Sequence, residues 1–219
     1  MPSLNDFVMQ TPRPLPVIVA IDKSGSMSRN GKIDALNLAL RDFVNSIKNE
    51  DSPVEIQLAL YSFGGQEAVC DLPLTPVDSV NVNSFQYTAY GRTPMGGVFK
   101  QMKSLIEDKD LIPSRSYKPT IVLLSDGIPT DDYQAPMMAL IQEGRSSKAF
   151  RIAMALGDDA DKEMLGKFVS SPELLISGDS ARDIKKFFRF VTMSVTSRMR
   201  SQTPDTPPQV KFPDDEVIF

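Results

Sequence analysis

Asp22, Ser24 and Ser26 stand in the run Ile21-Asp22-Lys23-Ser24-Gly25-Ser26-Met27 and bring a carboxylate and two hydroxyls close together. Thr93, in Gly91-Arg92-Thr93-Pro94-Met95, and Asp126, in Leu123-Leu124-Ser125-Asp126-Gly127, add another hydroxyl and another carboxylate. The set holds oxygen alone, with no nitrogen and no sulfur. Such donors suit a hard divalent cation: Mg²⁺ first, with Mn²⁺ or Ca²⁺ able to use the same oxygens. Hydroxyls are neutral and only two carboxylates face the cation, so a carboxylate from outside becomes an attractive further ligand. Taken singly, each residue has a plainer role, since Asp22 and Ser24 can cap a turn and Asp126 can serve the Gly127 turn. It is the combination, with both aspartates at the ends of apolar runs, that points to a metal.

The elements that must hold these residues can be read from periodicity. Val17-Ile18-Val19-Ala20-Ile21 reads as a buried strand ending at Asp22, and Pro119–Leu124 as a second apolar strand ending just before Asp126. Ile33, Leu36, Leu40, Val44 and Ile47 recur with helical spacing, and Asn49–Pro53 ends that helix. Val54–Phe63 alternates as a half-buried strand. Gly64-Gly65 then turns the chain, and Ala68–Leu72 returns as an antiparallel edge strand in which Cys70 reads as a small buried hydrophobe. A long connection through Pro73, Pro76 and Asn81–Ser84 leads to Thr93. A helix from Pro94 carries Val98, Met102, Leu105 and Ile106 on one face. Helices near 135–142 and 162–169, strands at 150–156 and 174–176, and a long helix from about 180 to 199 complete the pattern. The last helix carries the stripe Ile184, Phe187, Phe188, Val191, Val195 and Met199.

Alternating strands and helices predict an α/β fold. The expected architecture is a three-layer doubly wound sheet, mostly parallel with one antiparallel edge strand and helices on both faces. In such sheets ligands gather at the carboxyl ends of the strands, where Asp22–Ser26 and Asp126 fall.

The order Asp-x-Ser-x-Ser, then a distant Thr, then a distant Asp resembles the metal-ion-dependent adhesion site of von Willebrand factor A domains. The resemblance runs over about residues 14–200. It implies a Rossmann-like fold and direct ligation mainly by Ser24, Ser26 and Thr93, with Asp22 and Asp126 acting through water. It implies a non-enzymatic, Mg²⁺-dependent protein-interaction module whose partner offers an Asp or Glu. The run Pro12-Arg13-Pro14-Leu15-Pro16 before the motif resembles small bacterial cytosolic members, of which the tellurium-resistance-associated TerY type is nearest. That type implies a stress-response or defence setting with kinase or phosphatase partners.

Other chemistries fit less well. The chain has no histidine, which excludes a Ser-His-Asp triad, a Cys-His dyad and a histidine zinc site. Gly25 to Gly31-Lys32-Ile33 imitates a phosphate loop, but has one intervening residue too many and Ile where a Mg²⁺-binding Ser or Thr belongs. No Gly-x-Gly-x-x-Gly follows the first strand. A metal-dependent hydrolase or phosphotransferase using Asp22 or Asp126 is the alternative reading, although aspartyl-phosphate chemistry usually wants a second carboxylate where Ser24 stands.

At 219 residues with 41% apolar and 24% charged residues, the chain has a globular composition. A net charge of −4 argues against nucleic acid as the partner. A single cysteine, Cys70, leaves no intrachain disulfide, and neither a secretory signal nor a membrane-spanning run is visible, so a cytoplasmic location is expected. Residues 1–13 read as a leader, 14–200 as the domain and 201–219 as a Pro-rich acidic tail outside the core. The tail's Asp214-Asp215-Glu216 could solvate the terminus or occupy a metal site, in its own or a neighbouring molecule. The basic residues Lys185, Lys186, Arg189, Arg198 and Arg200 read as a solvated helix face or as a docking surface for an acidic partner.

Overall fold

The computed structural model describes residues 12–52, 54–207 and 211–212. Six strands form one sheet: β1 (Pro14–Asp22), β2 (Glu55–Gly64), β3 (Glu67–Pro76), β4 (Thr120–Ser125), β5 (Phe150–Leu156) and β6 (Leu175–Gly178). Their order is β3-β2-β1-β4-β5-β6. All neighbours run parallel except β3, which pairs antiparallel with β2 at one edge. This is the doubly wound α/β arrangement expected from the sequence. β1, β4 and β5 are buried along their whole length, as central parallel strands covered on both faces must be.

β1 begins earlier than the apolar run suggested, because Pro14 and Pro16 lie inside it. β4 joins β1 only at Val17, and the Pro14 carbonyl accepts from Tyr117 N on that same side. The nitrogen of Pro14 therefore faces a stretch with no regular ladder, where its missing N–H costs nothing.

Among the described residues, five α-helices cover the sheet: α1 (Lys32–Lys48), α2 (Met95–Glu107), α3 (Gln134–Gln142), α4 (Lys162–Phe168) and α5 (Ala181–Arg200). α1 packs on α5, and α2 on α3. Phe43 of α1 meets Phe188 of α5 at a centroid distance of 5.9 Å, and Phe99 of α2 stacks with Phe168 of α4 at 5.7 Å. α5 opens with a reciprocal capping box: Ser180 Oγ accepts from Asp183 N and Asp183 Oδ2 accepts from Ser180 N. α2 is capped from a distance, its Gly96 and Gly97 N–H groups donating to the Asp131 carboxylate at 2.9 and 3.0 Å.

Three sequence expectations need correction. Cys70 is exposed, not buried; it keeps regular register opposite Tyr61, in phase with the buried Ala68, but β3 is the sheet edge and beyond Ala68 it is left uncovered. Arg198 is no part of a solvated helix face: it is buried, donating to Pro204 O, Lys118 O and Thr120 Oγ1. Lys185, Arg189 and Arg200 are exposed as expected. Finally, the start of the tail is packed. Pro204 is buried, and Asp205 accepts from Lys118 N at 2.7 Å and pairs with Arg13 at 3.3 Å. The acidic run at 214–216 and most of the leader lie outside the described residues. Among the described residues, no helix is long and apolar enough to cross a membrane.

Candidate metal centre

β1 delivers Asp22 at its carboxyl end, and the chain then winds into tight 3₁₀ turns over Gly25–Gly31. Ser24 N donates to Asp22 Oδ1 at 2.8 Å, closing a small ring that aims the loop. Ser24 Oγ and Ser26 Oγ lie 3.0 Å apart, and Ser26 Oγ donates to Asp126 Oδ1 at 2.6 Å. Thr93 borders the same point: a Cβ built on Gly127 would sit 3.4 Å from Thr93 Oγ1 and 3.9 Å from Ser26 Oγ. All five residues singled out in the sequence thus converge at the rim formed by the ends of β1 and β4.

Three loops are locked together to hold them there. Lys23 N donates to Phe63 O, Tyr90 N to Lys23 O, and Gly25 N to Gly91 O. Gly65 bridges Gly91 and Arg92. Gly91 has φ 72°, and a side chain there would overlap the Gly65 Cα, so glycine is required by both conformation and space. Thr93 is held from the other side, its N–H donating to Thr130 Oγ1 at 3.1 Å and its carbonyl accepting from Thr130 N at 2.9 Å. The Lys23 ammonium lies 5.9 and 5.5 Å from the ring centroids of Tyr87 and Tyr90, a cation–π contact that steadies the segment leading to Thr93.

Sequence reasoning missed four supporting residues. Ser125 Oγ donates to Asp22 Oδ2 at 2.7 Å, so both oxygens of Asp22 are engaged. Lys32, the first residue of α1, donates to Asp126 Oδ2 at 2.9 Å. Thr130 and Asp131 anchor the Thr93 segment and α2. Ser125 stood beside a predicted ligand, and Lys32 stood in the failed phosphate loop; those were the available signals.

The electrostatics favour a cation. Asp22 is fully buried, and burial pushes its carboxyl up to about 6, with hydrogen bonds from Ser24 and Ser125 opposing the shift and the nearby Asp126 adding to it. A carboxylate that burial discourages from ionising gains from a positive partner, and three hydroxyls at the same point supply neutral oxygen donors. The residues therefore fit a hard cation. Among the described residues there is no cluster of three or more His, Cys, Asp or Glu that would rival this set.

A family model for the von Willebrand factor type A domain matches residues 17–190. Proximal thread matrix protein 1 from the mussel byssus, in a structure with a zinc-occupied MIDAS motif, is similar at 19% identity and a TM-score of 0.64, over 84% of this chain and 46% of that one. The pilus adhesin SpaC of Lactobacillus rhamnosus GG is similar in two structures, at 15% identity with a TM-score of 0.71 and at 14% with 0.69, each over 87% of this chain and 31% of that one. A von Willebrand factor type A protein from Catenulispora acidiphila is 18% identical with a TM-score of 0.66, over 84% and 43% of the two chains. The chain thus spans less than half the length of these structures, and at such identities the likeness is one of fold. No curated protein matches the chain in sequence. With the family model covering most of its length and the same fold in its structural neighbours, this chain belongs to the von Willebrand factor type A domain family.

Proposed function

We propose that the chain is a divalent-cation-dependent protein-interaction domain in which a partner Asp or Glu completes the coordination of Mg²⁺ at this rim. The residues that would hold the ion are Ser24, Ser26 and Thr93 directly, with Asp22 and Asp126 through water. When bound, the ion supplies Lewis acidity toward an incoming carboxylate. The chain's own residues do the rest. Ser125 and Ser24 N orient Asp22, Lys32 orients Asp126, and Thr130 fixes Thr93. The observation that carries this reading is the convergence of hydroxyls and carboxylates from three separate loops, with Ser26 Oγ bonded to both Ser24 Oγ and Asp126.

The enzymatic alternative draws on Asp22, whose raised pKa of about 6 is the kind that proton-transfer groups display. Its burial and its two engaged oxygens suit it to holding rather than to attacking or shuttling a proton. The finer setting we infer is a cytoplasmic bacterial stress or defence system of the tellurium-resistance type, with a kinase or phosphatase as partner; the Pro12–Pro16 run before the motif is its support.

The test is a pull-down from native lysate with and without chelator, comparing wild type with Thr93→Ala. Partner capture that vanishes with chelator and with Thr93→Ala, while helical circular dichroism is unchanged, is the expected result. Capture indifferent to both would overturn the reading. Turnover of phosphate esters by the purified protein, lost in Asp22→Asn, would favour the enzymatic one.

A further inference from the structure

At the opposite pole of the sheet, where β4 and β5 begin, lies a cavity of about 280 Å³ lined by Lys118, Lys148, Arg151 and Arg198, with Ser170 and the tail residue Asp205 in its wall. Four cations face one carboxylate here, on a chain whose net charge is −4. The carboxylate is already committed, since Asp205 accepts from Lys118 N and pairs with Arg13.

The two arginines are the informative members, because both are buried. Arg151 donates through Nε to Phe168 O and through Nη1 to Ser147 O and Ala149 O. Arg198 donates to Pro204 O, Lys118 O and Thr120 Oγ1. These acceptors fix each guanidinium in place but carry no net charge. Among the described residues no carboxylate lies within ion-pairing distance of either guanidinium. Two buried guanidiniums share this cavity with a single carboxylate, Asp205, which acts on Arg198 from beyond ion-pairing distance; such under-compensated buried charge is costly, and the cost is relieved by an anion. Burial lowers the Arg198 pKa to about 10, with the Asp205 carboxylate opposing the shift, and burial alone lowers that of Arg151, the direction in which desolvated cations move.

We propose that this basal cavity binds a small phosphate-bearing anion, with Arg151 and Arg198 at its floor and the exposed Lys118 and Lys148 at its mouth. Guanidinium groups suit phosphate because their planar forks match its oxygens. The volume lies just under the usual range of about 300–1,000 Å³ for small-molecule sites, which suits inorganic phosphate, pyrophosphate or a phosphorylated side chain. The six residues of β4 separate this cavity from the candidate metal rim by about 20 Å, so the two sites share no residue.

Equilibrium titration of the full chain in chelator, at constant ionic strength in chloride, tests the idea with three probes: inorganic phosphate, pyrophosphate and O-phosphoserine. Chelator keeps phosphate from registering through a cation at the rim. Saturable binding is expected, weakened at least about tenfold by the double substitution Lys118→Gln and Lys148→Gln, which touches only exposed side chains. Arg151→Gln should weaken it further, and Lys185→Gln, on the outside of α5, should leave it intact. Tighter binding of phosphoserine than of phosphate assigns a phosphorylated side chain as the source, and the reverse order assigns a free anion. No saturable binding of any probe, or binding undiminished in the double lysine variant, overturns the proposal.

Discussion

Lys32 Nζ lies 2.9 Å from Asp126 Oδ2, with the Lys32 side chain only 11% exposed and that of Asp126 wholly buried. A resident ammonium therefore already serves one of the two carboxylates at the rim, from the first turn of α1. Because it neutralises part of the charge a metal would use, it competes with the metal. With Mg²⁺ added, the three cationic charges exceed the two carboxylates by one, and an acidic ligand is favoured.

Replacing Lys32 by Met should consequently raise Mg²⁺ affinity by about tenfold while lowering the stability of the metal-free protein. Removing one partner of a buried ion pair costs about 3–5 kcal/mol, and added Mg²⁺ should recover much of that loss. Calorimetric titration together with urea unfolding, each with and without Mg²⁺, checks both halves. A fall in affinity would show that Lys32 helps to build the metal site.

Asp22 gives a pH dependence with a definite sign. Its folded pKa of about 6 exceeds the unfolded value of 3.8, so the folded state holds the proton more tightly. The stability this contributes is complete below about pH 4 and is lost as pH rises through 6, amounting to about 3 kcal/mol. Mg²⁺ requires the ionised form, so its stabilising effect should grow from pH 5 to pH 7. Melting temperatures across that range, with and without Mg²⁺, measure it, and Asp22→Asn should flatten both curves.

Gly91→Ala should loosen the rim without touching a ligand. The left-handed backbone and the overlap with Gly65 together predict a loss of about 2 kcal/mol, and a shift of the segment leading to Thr93 should weaken Mg²⁺ binding. Denaturant midpoints and a Mg²⁺ titration of the same sample report both.

Ser180→Ala serves as the contrasting case. Loss of the α5 cap should cost about 1 kcal/mol, a fall of about 2–4 °C in melting temperature for a chain of this size. Mg²⁺ affinity should stay at the wild-type value, which a titration alongside Gly91→Ala would confirm.

The central architecture was legible because a parallel strand buried on both faces is written as an unbroken apolar run, and its carboxyl end as the one or two polar residues that follow it. Val17–Ile21 and Ile121–Leu124 show this plainly, and they placed Asp22 and Asp126 at one rim. Lys32 was not legible, since a buried lysine looks like any other until its partner is known, and Asp126 lies 94 residues away. Arg198 could have been read correctly: it follows Val191 and Val195 at helical spacing and so falls on the apolar stripe of α5. Its charge outweighed its position. Cys70 depended on how far the neighbouring elements cover the edge strand, which the alternation of its residues does not record.

Arg13, just before the first strand, and Asp205, just after the last helix, are tied to each other at the pole away from the metal rim. An affinity handle or a fused module attached through these regions would depart from that far pole. The chain could then be anchored to a sensor surface, or joined to a larger assembly, with the candidate cation rim on the side away from the attachment.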